Sequence, residues 1–161
     1  MIAKLSSCMF LVAVLFGSSN SHAATLYFDG GAVDILTVGN GASTGGWGTW
    51  DTTILNWDVG ASPHVAWTNA NADNAYIAGN GTLTVGVPVT VGSVTLSIGS
   101  GTRTVSGSAI TINSGISFGN VPGLTWTAPI ILGGDQTWFF YGGNTTKKKS
   151  RPEERISMDI R

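Results

Sequence analysis

Between residues 82 and 132 apolar side chains fall on every second position, with glycines where the pattern breaks. Leu83, Val85, Val87, Val89 and Val91 take the odd positions. Beyond Gly92-Ser93 the even positions take over, with Val94, Leu96 and Ile98. Ile110, Ile112, Ile116 and Phe118 keep that parity, as do Leu124, Trp126, Ala128, Ile130 and Leu132, and the residues between them are mainly Thr, Ser, Gly and Asn. A period of two sends one row of side chains into a core and the other into water, so the segment predicts β-strands. One extra residue exchanges the two faces of a strand, and the flip at Gly92-Ser93 therefore predicts a bulge or corner.

Residues 94–98, followed by Gly99-Ser100-Gly101, and residues 109–112, followed by Asn113-Ser114-Gly115, form similar units about sixteen residues apart, an imperfect repeat. Short strands punctuated by Gly, Asn and Ser suit stacked turns, none of which can bury its inner face alone. The expected fold class is all-β: a right-handed parallel β-helix or solenoid fragment with an aromatic N-terminal cap. A β-sandwich, richer in hairpin turns, is the alternative. The cap is expected over residues 24–81, with strands at Thr25–Phe28 and at residues 33–38, and the rungs over 82–141. Pro129 cannot donate to a ladder and belongs at an edge or corner. The last rung has no visible cover, so its strand edge predicts self-association.

Residues 1–23 read as a signal peptide. Lys4 supplies a positive start, residues 5–16 an apolar run, and Ser21 and Ala23 the small residues of a cleavage site, with cleavage expected after Ala23. The run is shorter than the roughly 20 residues that span a bilayer, so no membrane span is expected after cleavage, and the chain is expected to be secreted or at the cell surface. Cys8, the only cysteine, lies in this leader, which leaves the mature chain no disulfide.

Charge is distributed unevenly. From residue 24 to 146 the acids are Asp29, Asp34, Asp51, Asp58, Asp73 and Asp135, against the single base Arg103. Such a body has no basic patch for nucleic acid. From Lys147 onward Lys, Arg, Glu and Asp crowd together, so residues 142–161 are expected to be a solvated, disordered tail. A chain cut short or read in a shifted frame would show the same change of composition.

Candidate chemistry is sparse. Trp47, Trp50, Trp57 and Trp67 stand among Asn and Asp residues. They are candidates for glycan binding, since indole faces stack on pyranose rings. They equally suit a plug over the open end of a repetitive sheet. His64, beside Pro63, is the only histidine after the leader and is expected to be solvated in a loop. No Gly-x-Ser-x-Gly elbow, Walker loop or His-Glu-x-x-His occurs. Asn69-x-Asn71-x-Asp73-Asn74 alternates oxygen ligands but lacks the glycine and closing glutamate of a calcium loop. No enzyme activity, metal or cofactor is expected.

Trp47-Gly48-Thr49-Trp50-Asp51, Asn56-Trp57-Asp58, Val65-Ala66-Trp67, Asp73-Asn74-Ala75-Tyr76-Ile77 and the run from Pro129 through Gly133-Gly134-Asp135-Gln136-Thr137-Trp138 carry a resemblance. Over residues 24–138 the chain resembles the N-terminal part of autotransporter-associated β-strand repeat proteins, large exported bacterial proteins built on a passenger-type β-helix. The resemblance implies the N-terminal part of an adhesin-like or cell-surface protein, and the sparse candidate chemistry makes a non-catalytic structural module the expected role. A carbohydrate-binding module built on the tryptophan block is the alternative, and the partners expected are a surface glycan or further copies of the chain.

Overall fold

The computed structural model describes residues 23–30, 39–120, 123–140, 144–148 and 155–160. The expected leader, apart from Ala23, and the strand expected over residues 33–38 lie outside them. Twelve strands carry the described residues: β1 (Thr25–Phe28), β2 (Gly48–Trp50), β3 (Trp57–Asp58), β4 (Asn74–Ala78), β5 (Gly81–Val85), β6 (Val89–Ser97), β7 (Arg103–Gly107), β8 (Ile110–Phe118), β9 (Leu124–Leu132), β10 (Gln136–Phe140), β11 (Asn144–Lys148) and β12 (Arg155–Ile160). The one helical element among them is a 3-10 turn at Asn69–Asn71. No helix among the described residues is long and apolar enough to cross a membrane. The chain is all-β.

The strands join in one curled sheet whose body is parallel, and the chain visits three ladders in turn. On the first, β2, β5, β7 and the start of β9 stack through Gly48, Leu83, Val105 and Trp126. On the second, the start of β6, the start of β8 and the end of β9 align Val91, Ile112 and Leu132. The third stacks β1, β4, the end of β6, the end of β8 and β10 through Leu26, Ala75, Val94, Ile116 and Trp138. A sandwich of hairpins would pair its strands antiparallel, so the parallel body argues against that alternative.

The first steps are long, from Leu26 to Ala75 and from Gly48 to Leu83, and from β4 onward each ladder advances by about 20 residues per step. This corrects the sixteen-residue repeat. Residues 94–98 and 109–112 belong to different ladders, for Val94 pairs with Ile116 and Ile110 with Val89. Similar local sequences mark similar strands, but the partner of each is set by how far the chain travels round before it returns.

The aliphatic rows point inward as the alternation requires. In β6, Val89, Val91, Val94 and Leu96 are all buried, and the register slips between Val91 and Ser93 at the predicted flip. In β9 the inner row runs from Leu124 to Leu132 without a break, and Pro129 lies between the stretch paired to β7 and the stretch paired to β8. Close strand approach demands glycine at two corners. A Cβ on Gly107 (φ 102°) would stand 2.4 Å from the Val85 carbonyl oxygen, and one on Gly115 (φ 153°) 2.0 Å from that of Thr137.

The backbone of β11 runs antiparallel to β10 and that of β12 antiparallel to β9. Both strands lie within the segment that composition marked as a solvated tail, and their backbones pair along β10 and β9. An edge of unpaired N–H and C=O groups can template a strand whatever side chains that strand carries.

Candidate functional site

The tryptophan block divides. Trp50, Trp57 and Trp67 are buried and meet as a triangle, with ring centroids 4.7 to 4.9 Å apart, and Phe28 packs edge-on against Trp57 at 5.5 Å. Aromatic pairs at such tilts gain about 0.5–1.5 kcal/mol beyond area burial. Trp67 Nε1 donates to the Thr90 carbonyl at 3.0 Å, whereas the Trp50 and Trp57 ring N–H groups find no acceptor among the described residues. The triangle is therefore held by packing more than by polar contacts. Three of the four candidate glycan residues thus present no face to solvent, and Trp47 alone is open, at 74% exposure.

The cap also encloses a polar cluster. Asp29, Asp58 and His64 are buried, and one ligand-type atom from each lies within 4.8 Å of the others. His64 Nε2 lies 2.9 Å from Asp29 Oδ2, so this histidine is not the solvated loop residue expected from its place beside Pro63. Asp29 Oδ1 accepts from the Thr44 amide and, at 2.9 Å, from the Thr44 hydroxyl. Asp58 Oδ2 accepts from the Asn40 and Gly41 amides and Oδ1 from that of Gly60. Burial pushes the Asp58 carboxyl up, but the Gly60, Gly41 and Asn40 amides and nearby His64 outweigh it and leave its pKa below the ordinary 3.8.

Two carboxylates and an imidazole are an accepted cation donor set, but a cation here would compete with those backbone amides and with the His64–Asp29 contact. The arrangement acts as a clasp: it fixes the loop of residues 39–44 and the Gly60 turn onto β1 and β3. Nothing in the local sequence announces it, because His64 and Asp29 stand 35 positions apart. The Asp29-Gly30-Gly31 turn and the Asn56-Trp57-Asp58 stretch are its only local traces.

Arg103, the one base of the body, is fully buried at the start of β7. Its guanidinium donates to the Gly46 carbonyl at 2.8 Å, to Gly79 at 2.9 and 3.2 Å and to Ala78 at 2.5 Å. Burial pushes its pKa down to about 10, so it remains charged at neutral pH. One side chain thereby ties the loop before β2 and the turn before β5 to β7.

The Asn69–Asp73 oxygens do not converge on a cation. Asn69 Oδ1 accepts from the Thr90 amide, Asp73 Oδ1 from the Ala24 amide, and Asn74 Oδ1 from the Ser93 hydroxyl. Asp51 caps its own turn: amides of Ile54 and Thr53 hold its pKa low.

The fold and its polar residues define an all-β chain with parallel ladders, whose buried charged groups are spent on holding loops. Among known proteins the chain is similar to the Adhesin BmaC autotransporter of Brucella suis biovar 1 (strain 1330), with 35% identity over 113 residues. The match takes in 58% of this chain and 3% of that adhesin. This similarity supports a relation to autotransporter proteins. No protein-family model matches the chain, and no solved structure matches it.

Proposed function

We propose that this chain is the N-terminal cap and first rungs of a right-handed parallel β-helix, and that it serves as an exported, non-catalytic part of an adhesin-like surface protein. The observation that carries the reading is the stacking of three parallel ladders over an aliphatic interior, stopped at one end by the Trp50–Trp57–Trp67 triangle. A stacked coil exposes its first apolar rung unless something bulky covers it, and three interlocked indoles do so. Similarity to an autotransporter adhesin supports surface display. The saturated Asp29–Asp58–His64 clasp supports a scaffold role over a catalytic one, because none of its groups faces solvent.

Export is tested by expressing the full chain in a Gram-negative host with a C-terminal epitope. The expected product is periplasmic or extracellular and begins at Ala24. A full-length product retained in the cytoplasm overturns the reading.

A further inference from the structure

Trp47 stands just before β2, and the register of the first ladder places it in line with an outward row of hydroxyls. Gly48 pairs with Leu83, Thr82 with Thr104, and Thr104 with Thr125, while Leu83, Val105 and Trp126 form the buried row beneath. Trp47, Thr82, Thr102 and Thr104 line one shallow groove with Asn80 and Gly81, about 310 Å³ in volume. Strands of a sheet lie about 4.8 Å apart, so the row sets hydroxyls at regular steps leading away from the indole. Among the described residues, no protein partner engages the hydroxyls of Thr82, Thr102 or Thr104.

The groove is rigid for a reason visible beneath it. Arg103 holds the carbonyls of Gly46, Ala78 and Gly79, the Gly46 amide donates to the Asn80 carbonyl at 3.2 Å, and the Gly81 amide donates to Thr102 at 3.0 Å. All three wall segments are therefore fixed before any ligand arrives, which lowers the ordering cost of binding. Among the described residues no charged side chain lines the groove, and the guanidinium under the floor is engaged by carbonyls.

We propose that this groove is a subsite for an uncharged oligosaccharide, with a pyranose ring stacked on Trp47 and its hydroxyls bonded to Asn80 and the threonine row. An exposed indole next to free hydroxyls matches a ligand that is apolar on its ring face and polar at its edge, and the absence of charge disfavours anionic sugars. This goes beyond surface display and does not depend on it: failure of the binding test leaves the export reading standing, and failure of export leaves the groove.

The test is a titration of the full chain with cellohexaose, chitohexaose, maltohexaose and, separately, an oligogalacturonate, read from the Trp47 indole N–H resonance. The expected result is a saturable shift with at least one neutral oligosaccharide. Trp47→Ala should weaken binding about tenfold or more, as loss of an aromatic anchor does, and Trp47→Phe should weaken it less. The double variant Thr82→Val with Thr104→Val keeps side-chain volume and should also weaken binding, which decides the matter if Trp47→Ala lowers the unfolding midpoint. No saturable shift with any neutral sugar, preference for the anionic sugar, or binding unchanged in both variants overturns the proposal.

Discussion

Single residues in the cap do two kinds of work, filling space and silencing backbone groups. Trp57 touches Phe28, Trp50 and Trp67, so Trp57→Ala should cost about 3–5 kcal/mol, read as a fall in the urea midpoint without change of slope. Arg103→Met would fill much of the same volume while leaving the Gly46, Ala78 and Gly79 carbonyls without their donor. At about 1–3 kcal/mol for each buried unsatisfied group, a loss of roughly 3 kcal/mol or more is expected. Asp58 supplies a pH dependence. Its folded pKa lies below the unfolded value, so its contribution is complete above the ordinary 3.8 and disappears as pH falls through the folded pKa. Unfolding midpoints measured from pH 7 down to pH 2 should drop in that acid window, and the drop should be smaller in Asp58→Asn. At this scale the sequence was only partly legible. That Trp50, Trp57 and Trp67 would turn inward while Trp47 stayed out could not be read from spacing, because each is placed by a different loop or strand.

At the scale of elements, alternation was the reliable signal, and its reliability has a plain cause: side chains of an extended chain must alternate, whatever the strand pairs with. The corner in β6 follows from the same rule. Deleting Thr95, in the regular stretch beyond the corner, would turn Leu96 outward while Val89, Val91 and Val94 stayed inward. That variant is expected to lose cooperative unfolding by circular dichroism, whereas Ser93→Ala, which removes only the hydroxyl held near Asn74, should shift the midpoint slightly. The length of the repeat was not legible. Residues 94–98 and 109–112 look alike because both are short buried strands, but a strand's neighbour depends on the return path of the coil, which no local pattern records.

For the whole molecule, the decisive feature is that the last parallel strands do not stand bare. β10 and β9 pair with β11 and β12. Self-association through that edge requires these strands to leave, so a chain ending at Phe140 should associate more strongly than the full chain. Light scattering at tens of micromolar compares the two, and equal masses would count against edge pairing as the route to association. In the charged segment composition and backbone carry different information: composition reports what side chains prefer, while an open edge recruits backbone.

The sequence by itself determined the strands between residues 82 and 132, their inward rows and the site of the bulge, since each depends only on residues near one another in the chain. Tertiary structure alone decided which strands stack, which tryptophan meets water, and that Asp29, Asp58 and His64 close into a clasp on the loop of residues 39–44 and the Gly60 turn. Those outcomes are contacts between residues tens of positions apart. They exist only once the chain has come round on itself, and the polar groups then buried must find whatever partners the coil has brought within reach.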